Sequence, residues 1–404
     1  MIRIGLIGKT NTGKTTFFNA ATLQSAEVST YPFTTKRPNV GTANVQTLCV
    51  CQELKVKDNP RNSQCISGWR FVPVELIDLP GLIKGAWVGK GLGNQFLSVA
   101  AQAHALLHIV DASGSVDAEG RIARPGTGDP LADILDIEEE LAMWLFKIIE
   151  KNKQRITREM GAGKLPLEAA MDRVLSGIGI RENHVAAALQ ALKLAEKTFE
   201  SWSDDELKEF SYELRERSKP TIVLANKMDL NHAEENYVRL TEELKGSFVI
   251  PCCSEAELVL RRAEQKGLVQ YVPGEEKFSV LAESRLTDRQ RWALKYVQQK
   301  VLSKWIRTGV QFSLNVAIFK LLKMNSVYPV EDVQTLADKS GNVLPDVLLV
   351  PYNYTAYDLA NEIHTELAKT MIYAQDARSG LRLPKEYVLK DRDVIRIVAA
   401  GERR

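Results

Sequence analysis

GKTNTGKTT, residues 8 to 16, follows the apolar run IRIGLI directly and precedes FFNAATL. A short, β-branched apolar run suits a buried parallel strand, and the residues after Thr15 can open a helix. Between them the spacing is G-x-x-x-x-G-K-T, from Gly8 through Gly13 and Lys14 to Thr15. Glycines let backbone N–H groups curl around phosphate oxygens, and the helix N-terminus adds its partial positive charge. The stretch therefore reads as a cradle for a nucleoside triphosphate, built from Gly8, Asn11, Thr12, Gly13, Lys14, Thr15 and Thr16. Lys14 is placed to reach the β and γ phosphates, and the Thr15 hydroxyl to ligate Mg2+. A turn that merely joined strand to helix would need neither group.

A phosphate cradle fits kinases, ATPases and GTPases equally, so the base must be read elsewhere. FVPVELIDLPGL, residues 71 to 82, is a second apolar strand ending in Asp78-x-x-Gly81. Its carboxylate can hold Mg2+ through water, and the Gly81 N–H can meet the γ-phosphate. TIVLANKMDL, residues 221 to 230, is a strand ending in Asn226-Lys227-Met228-Asp229. Guanine presents N1–H and N2–H2 side by side, so one carboxylate accepts both, whereas adenine has no such pair of donors. Asp229 is thus assigned to guanine, Asn226 to bracing the loop and base, and the Lys227 stem to covering the ring face. SFVIPCCSEAEL closes with Cys253-Ser254-Glu255. Two readings stand there: backbone N–H groups facing guanine O6, or Ser254 as a helix cap with Glu257 three positions later.

On these words the chain resembles GTPases of the Obg family, in the branch containing YchF and the Obg-like ATPases. YPFTT, residues 31 to 35, resembles that family's first switch, and DLPGLIKGAWVGKGLGNQFL, from Asp78 to Leu97, its glycine-rich second switch. By position the resemblance makes Thr35 the hydroxyl that closes on Mg2+ and the γ-phosphate, with Thr34 the nearest alternative. Gly81, Gly85, Gly89, Gly91 and Gly93 leave the second segment little to pack, so a phosphate contact can order it. LPDVLLVPYNYTAYDLANEIHTELAKTMIYAQDA, from Leu344, with EYVLKDRDVIRIV resembles the TGS domain of threonyl-tRNA synthetase and the SpoT enzymes. Its alternation in DVLLV and DVIRIV reads as strands, and Leu359, Ile363 and Leu367 as one helix. His364, beside that stripe, is read as a packing or surface residue.

The expected architecture is an α/β P-loop NTPase of the Ras-like G-domain kind with a helical insertion and a C-terminal β-grasp domain. Residues 1–111 and 219–284 would bind GTP or GDP, 112–218 form an antiparallel helical insertion, 285–323 basic connecting helices, and 324–404 the TGS-like domain. Length agrees, since 404 residues exceed one ordinary core. His104 and His108 in ALLHIVDAS are read as belonging to a core strand, which would separate a pair spaced for a metal on a helix.

Charge is nearly balanced, with 53 Lys and Arg against 51 Asp and Glu, so nucleic-acid affinity must come from a local patch. Arg285 to Lys323 carries nine basic residues and one acid, Asp288, with Trp292, Tyr296 and Trp305 interspersed. Such a segment can grip phosphates and stack on bases, or be an amphipathic helix with solvated cations. The resemblance favours ribosomal RNA or tRNA on the ribosome, not DNA. No apolar run reaches the roughly 18 residues of a membrane span and no signal-peptide pattern opens the chain, so a cytoplasmic protein without membrane contact is expected. Five cysteines at irregular spacing, Cys49, Cys51, Cys65, Cys252 and Cys253, lack C-x-x-C pairs and nearby histidines, and are read as small core residues of a reducing compartment.

Two departures bear on mechanism. Leu82 stands where many regulatory GTPases carry a water-orienting Gln, which predicts intrinsic turnover well below about one per second. Asn11 occupies the position where related GTPases without that Gln ligate a monovalent cation, so K+ is a candidate charge stabiliser, although Asn also suits a tight turn. Members of the branch regarded as ATPases resemble N-x-x-E at the base motif; Asp229 here favours GTP. The chain is thus expected to be a slow GTPase switch, its rivals an ATP-hydrolysing relative and a non-hydrolysing sensor that binds a protein.

Overall fold

The computed structural model describes residues 1–26, 38–81, 100–163 and 165–400. The chain divides into two compact units, one of Arg3–Gly41 and Glu75–Ser313, the other of Met1–Ile2, Thr42–Val74 and Leu314–Arg404. Residues 42–74, read from sequence with the nucleotide-binding domain, therefore group with the C-terminal region. The reason is local: Asn59 N–H donates to Val343 O at 2.8 Å and Arg61 N–H to Pro345 O at 2.7 Å.

Strands β1 (Arg3–Ile7), β2 (Asn39–Leu48), β3 (Gln64–Ile66), β4 (Trp69–Asp78), β5 (Ala105–Asp111), β6 (Thr221–Asn226) and β7 (Val249–Pro251) form a sheet of order β2-β4-β1-β5-β6-β7, with β3 on β4. From β4 to β7 all neighbours are parallel, whereas β3 is antiparallel to β4. All seven residues of β5 are buried, as a strand covered on both faces requires. Register brings Leu6 opposite Asp78, Ile7 opposite His108, and Asp111 opposite Asn226. The carboxyl ends of four strands thus meet on one edge, where open α/β sheets bind ligands.

His108 lies inside β5 with no exposure, and burial pulls it down to about 3, so it stays neutral. His104 precedes the strand, and its Nδ1 accepts the Arg3 N–H at 3.0 Å. The pair is divided as the strand reading requires.

Between β5 and β6 stand the helices Pro130–Gly163, Leu167–Leu175, Glu182–Leu192 and Asp204–Ser218. Their shared core includes Ile149, Met171, Val185 and Leu214, with the Trp202 ring edge-on to Phe199 at 5.0 Å and to Phe210 at 4.9 Å. Ser203 caps the last helix in a capping box with Glu206, an arrangement worth about 1 kcal/mol. Residues 112–129, at the start of the span read as the insertion, form a loop, as the Pro and Gly content of RIARPGTGDP predicts for its second half, and Gly120 O accepts the Asn11 amide at 2.9 Å. After β7, β8 (Val269–Gln270) and β9 (Ser279–Val280) make a small antiparallel pair, followed by helices Asp288–Tyr296 and Val310–Asn315.

In the other unit, β10 (Met324–Pro329), β11 (Leu348–Pro351), β12 (Met371–Asp376), β13 (Arg382–Leu383) and β14 (Val394–Ala399) form a sheet of order β11-β10-β14-β12-β13. β10 and β14 are parallel, and the other pairs antiparallel. Leu359, Ala360 and Ala368 pack on it with Val327, Val350 and Ile395. The single helix expected through Leu359, Ile363 and Leu367 is two, Ala356–Ile363 and Thr365–Thr370. His364 is extended between them and its Nδ1 accepts the Glu366 N–H at 3.2 Å, so it caps the second helix, while Ile363 is exposed.

Candidate nucleotide site

β1 stops at Ile7 and the chain turns through residues 8–13 into the helix Lys14–Thr22. Gly13, at φ 102°, admits no substituent, because a Cβ would lie 2.2 Å from Asn226 Nδ2. That closeness is the junction of the two sequence words: Asn226 Nδ2 donates to Thr12 O at 2.8 Å. Thr12, fully buried, donates its hydroxyl to Lys9 O at 3.0 Å and shapes the loop. Lys14 Nζ also donates to the Lys9 carbonyl. Burial lowers Lys14 to about 8, partly offset by the nearby Asp78 charge.

Asp78, at the end of β4, is only 2% exposed. Its Oδ2 accepts Thr15 Oγ1 at 2.8 Å and Asn39 Nδ2 at 3.3 Å, and its buried Oδ1 has no partner among the described residues. Burial raises its pKa against the opposing influence of Lys14, Thr15 and Asn39. An orphaned carboxylate oxygen beside a threonine hydroxyl fits a hard cation such as Mg2+, and Asp78 and Thr15 would hold it. Gly81 follows at the loop, where a Cβ would sit 2.4 Å from Thr10 Oγ1. Thr34, Thr35, Leu82, Gly85, Gly89, Gly91 and Gly93 lie outside the described residues.

At the base end, Asn226 Oδ1 accepts both the Ser254 N–H and the Ser254 hydroxyl at 3.0 Å, so Asn226 ties the phosphate loop to the helix Ser254–Gln265. Lys227, at φ 62°, anchors its ammonium on Asp111 Oδ2 at 2.8 Å and Ser115 Oγ at 3.2 Å. Asp229 Oδ1 accepts the Cys253 thiol at 3.0 Å, and its Oδ2 accepts the Tyr296 hydroxyl at 3.1 Å. Burial and Asp229 raise Cys253 well above its usual value and Tyr296 to about 12, so both remain protonated donors.

One assignment at Cys253–Glu255 changes. Ser254 is the first helical residue and Cys253 the cap position, so Ser254 caps nothing with Glu257, whose buried carboxylate instead accepts the Tyr271 hydroxyl at 2.8 Å. The Cys253 N–H donates to Thr308 O at 2.8 Å and the Ser254 N–H to Asn226 Oδ1 at 3.0 Å, so both have partners within the protein. Glu255 stands in the first turn of that helix.

Asp111, Lys9 and Asp133 join the site from positions that no motif flagged, and Asn11 makes a contact the motif did not foresee. Asp111 ends β5 and accepts Ser113, Ser115 and Lys227; an acid closing a buried strand beside the first was the signal for it. Asn11, at φ 64°, donates its amide to Gly120 O at 2.9 Å, tying loop 112–129 to the phosphate loop. Lys9 pairs with Asp133 in the first turn of the helix Pro130–Gly163, both side chains under a tenth exposed. Removing one partner of such a pair typically costs about 3–5 kcal/mol.

In the basic segment Trp292 is 65% exposed and stacks on Tyr296 at 5.2 Å. Trp305 instead turns inward, donating Nε1–H to Met228 O at 3.2 Å against Tyr237. Arg291, Lys304 and Arg307 pair with Glu283, Glu234 and Glu276, which lowers the positive charge that sequence counting gave this region.

A parallel sheet whose carboxyl edge joins a lysine-bearing phosphate loop, a threonine–aspartate pair and an N-K-x-D turn defines a P-loop guanine-nucleotide-binding protein. Comparison with known proteins narrows the class. Residues 3–157 match the model of 50S ribosome-binding GTPases, 224–332 that of the Obg-like GTPase YGR210-like, G4 motif-containing domain, and 340–399 the TGS domain. A GTP-binding protein of Methanocaldococcus jannaschii is 43% identical over 402 residues, 100% of either chain. The ribosome-binding ATPase YchF of Escherichia coli O157:H7 is 26% identical over 420 residues, covering 97% of this chain and 98% of its own. The crystal structure of a GTP-binding protein from Pyrococcus horikoshii OT3 has a TM-score of 0.79 at 35% identity, over 99% of this chain and 100% of that one. The chain belongs to the Obg family of P-loop GTPases, in the branch of YchF and the Obg-like ATPases, with a C-terminal TGS domain.

Proposed function

We propose that this protein hydrolyses GTP slowly and acts as a nucleotide-gated switch on the ribosome or on RNA of the translation machinery. The observation that carries the reading is the union of the phosphate loop and the N-K-M-D turn through Asn226, 2.8 Å from Thr12 O, with Asp229 beyond it on the base side. Lys14 would neutralise charge on the γ-phosphate, and Thr15 and Asp78 would hold a Mg2+ that would supply further charge stabilisation there. Thr35 is assigned as the hydroxyl that closes on the same ion, and the Gly81 N–H as a γ-phosphate donor. Leu82 offers no hydrogen bond to an attacking water, so turnover is slow until a partner or a monovalent cation near Asn11 supplies charge.

RNA contact is assigned to the basic segment on the exposed Trp292–Tyr296 stack, which offers a face to a base. The relatives named ribosome-binding lend the ribosome as partner. Turnover of GTP and ATP by the purified chain, with and without ribosomes, in potassium and in sodium, tests the whole reading. The expected result is GTP turnover well below about one per second, faster in potassium and with ribosomes. Fast basal turnover, equal use of ATP, or failure to co-sediment with ribosomes at low salt would each remove one part. An ATP-hydrolysing role is the second reading, favoured by the relatives named ATPase and opposed by Asp229.

A further inference from the structure

The unit of residues 1–2, 42–74 and 314–404 carries its own polar cluster. Cys49 precedes the short helix Val50–Glu53, Cys51 lies on it, Cys65 is on β3, and Asp58 is on the loop between. One donor atom from each residue lies within 4.8 Å of the other three. Cys51 Sγ and Cys65 Sγ are 3.8 Å apart, and Cys49 Sγ is 3.2 Å from Asp58 Oδ2. None of the cysteines is disulfide-bonded. From these positions we infer that Cys49, Cys51, Cys65 and Asp58 form a tetrahedral site for a thiophilic divalent cation of the zinc class.

The dimensions suit that ion. With zinc–sulfur bonds near 2.3 Å, a tetrahedron has sulfur–sulfur edges of about 3.8 Å; with a zinc–oxygen bond near 2.0 Å, its sulfur–oxygen edge is about 3.5 Å. Three soft donors select zinc over magnesium or calcium. Small apolar packing explains Cys49 and Cys51, which are buried, but not a carboxylate set against them or a half-buried third sulfur. The pattern C-x-C-x6-D-x6-C escapes a search for paired C-x-x-C because the fourth donor is an acid and the third cysteine arrives on a hairpin strand.

Arg70 completes the argument. It is fully buried on β4, paired in register with Cys65, and its guanidinium donates to Asp58 Oδ2 at 3.2 Å. Three thiolates and a carboxylate around a dication carry a net charge of about −2, and a buried cation on the outer oxygen-bearing ligand offsets part of it and fixes its orientation. The same guanidinium also donates to the Leu344 carbonyl and lies over the Tyr328 ring, 5.4 Å from its centroid. The metal would therefore staple the segment that grips residues 343–347, through Asn59, Arg61 and Asn62, at the start of the C-terminal sheet's second strand.

The test uses the full chain, purified under reducing conditions, stripped with chelator and titrated with Co2+. One equivalent should bind with a sulfur-to-cobalt charge-transfer band and the intense red-region bands of a tetrahedral ion, and Zn2+ should displace it. Cys65→Ser should weaken Co2+ binding at least about tenfold to a hundredfold while GTP binding persists as a check on folding. Asp58→Cys should keep one equivalent and raise the charge-transfer intensity by about one third, from three thiolates to four. Absence of the charge-transfer band in the unaltered chain or an unchanged titration in Cys65→Ser would overturn the assignment.

Discussion

The two ends of the nucleotide cleft are prepared in opposite ways. At the phosphate end a buried oxygen of Asp78 has no partner among the described residues, and Lys14 rests on a carbonyl of its own loop. At the base end both oxygens of Asp229 are already occupied, by the thiol of Cys253 and the hydroxyl of Tyr296. An unpaired buried acceptor gains on meeting a cation, whereas a paired one already has a donor that a ligand must share or displace. In the proposed function affinity would come chiefly from the phosphates, and selectivity at the base would require guanine to share Asp229 with two internal donors or displace them.

Lys14→Ala attacks the first half of that contrast and should have the largest effect, a loss of GTP affinity on the order of a thousandfold, read by titration calorimetry. A pH series on the unaltered chain sharpens it. Burial places Lys14 at about 8 in the ligand-free protein, and bound phosphates favour its charged form, so binding takes up a proton above that pH. Affinity for tripolyphosphate, corrected for the ligand's own terminal-phosphate titration, should be level below pH 8 and fall by up to about tenfold per unit above it. A level profile through pH 9 would mean that Lys14 carries full charge before the ligand arrives.

Asp229→Ala addresses the other end, and should remove GTP preference over ATP by roughly 100-fold in competition while leaving ATP affinity nearly level. Tyr296→Phe is the smaller and more discriminating change. Deleting a donor that competes with guanine should raise GTP affinity about threefold to tenfold and leave ATP unaffected. A fall in GTP affinity would show that the hydroxyl helps hold the base, and the contrast between the two ends would fail.

These contrasts also mark what a linear reading can reach. Gly8 to Thr15, Asp78 and Asn226 to Asp229 are contiguous words at strand ends, and their meeting follows from parallel register, so the cleft was legible. Asp133 and Tyr296 were not, because each is an ordinary helical residue whose role comes from a neighbour 124 or 67 positions away. The break at His364 escaped because apolar spacing through Leu359, Ile363 and Leu367 suits one helix, while the imidazole cap that starts the second depends on a single extended residue. The grouping of residues 42–74 with the C-terminal sheet rests on backbone hydrogen bonds, which leave no trace in hydrophobic pattern.

The ion pair of Lys9 with Asp133 has a mechanical consequence. Asp133 stands in the first turn of a helix 34 residues long, which at 1.5 Å per residue is a rod of about 50 Å. A tilt of only about 5° at its root would sweep the distant tip through about 4 Å. Any tilt imposed at the Lys9–Asp133 pair would therefore reach the far end of the helix amplified by length alone.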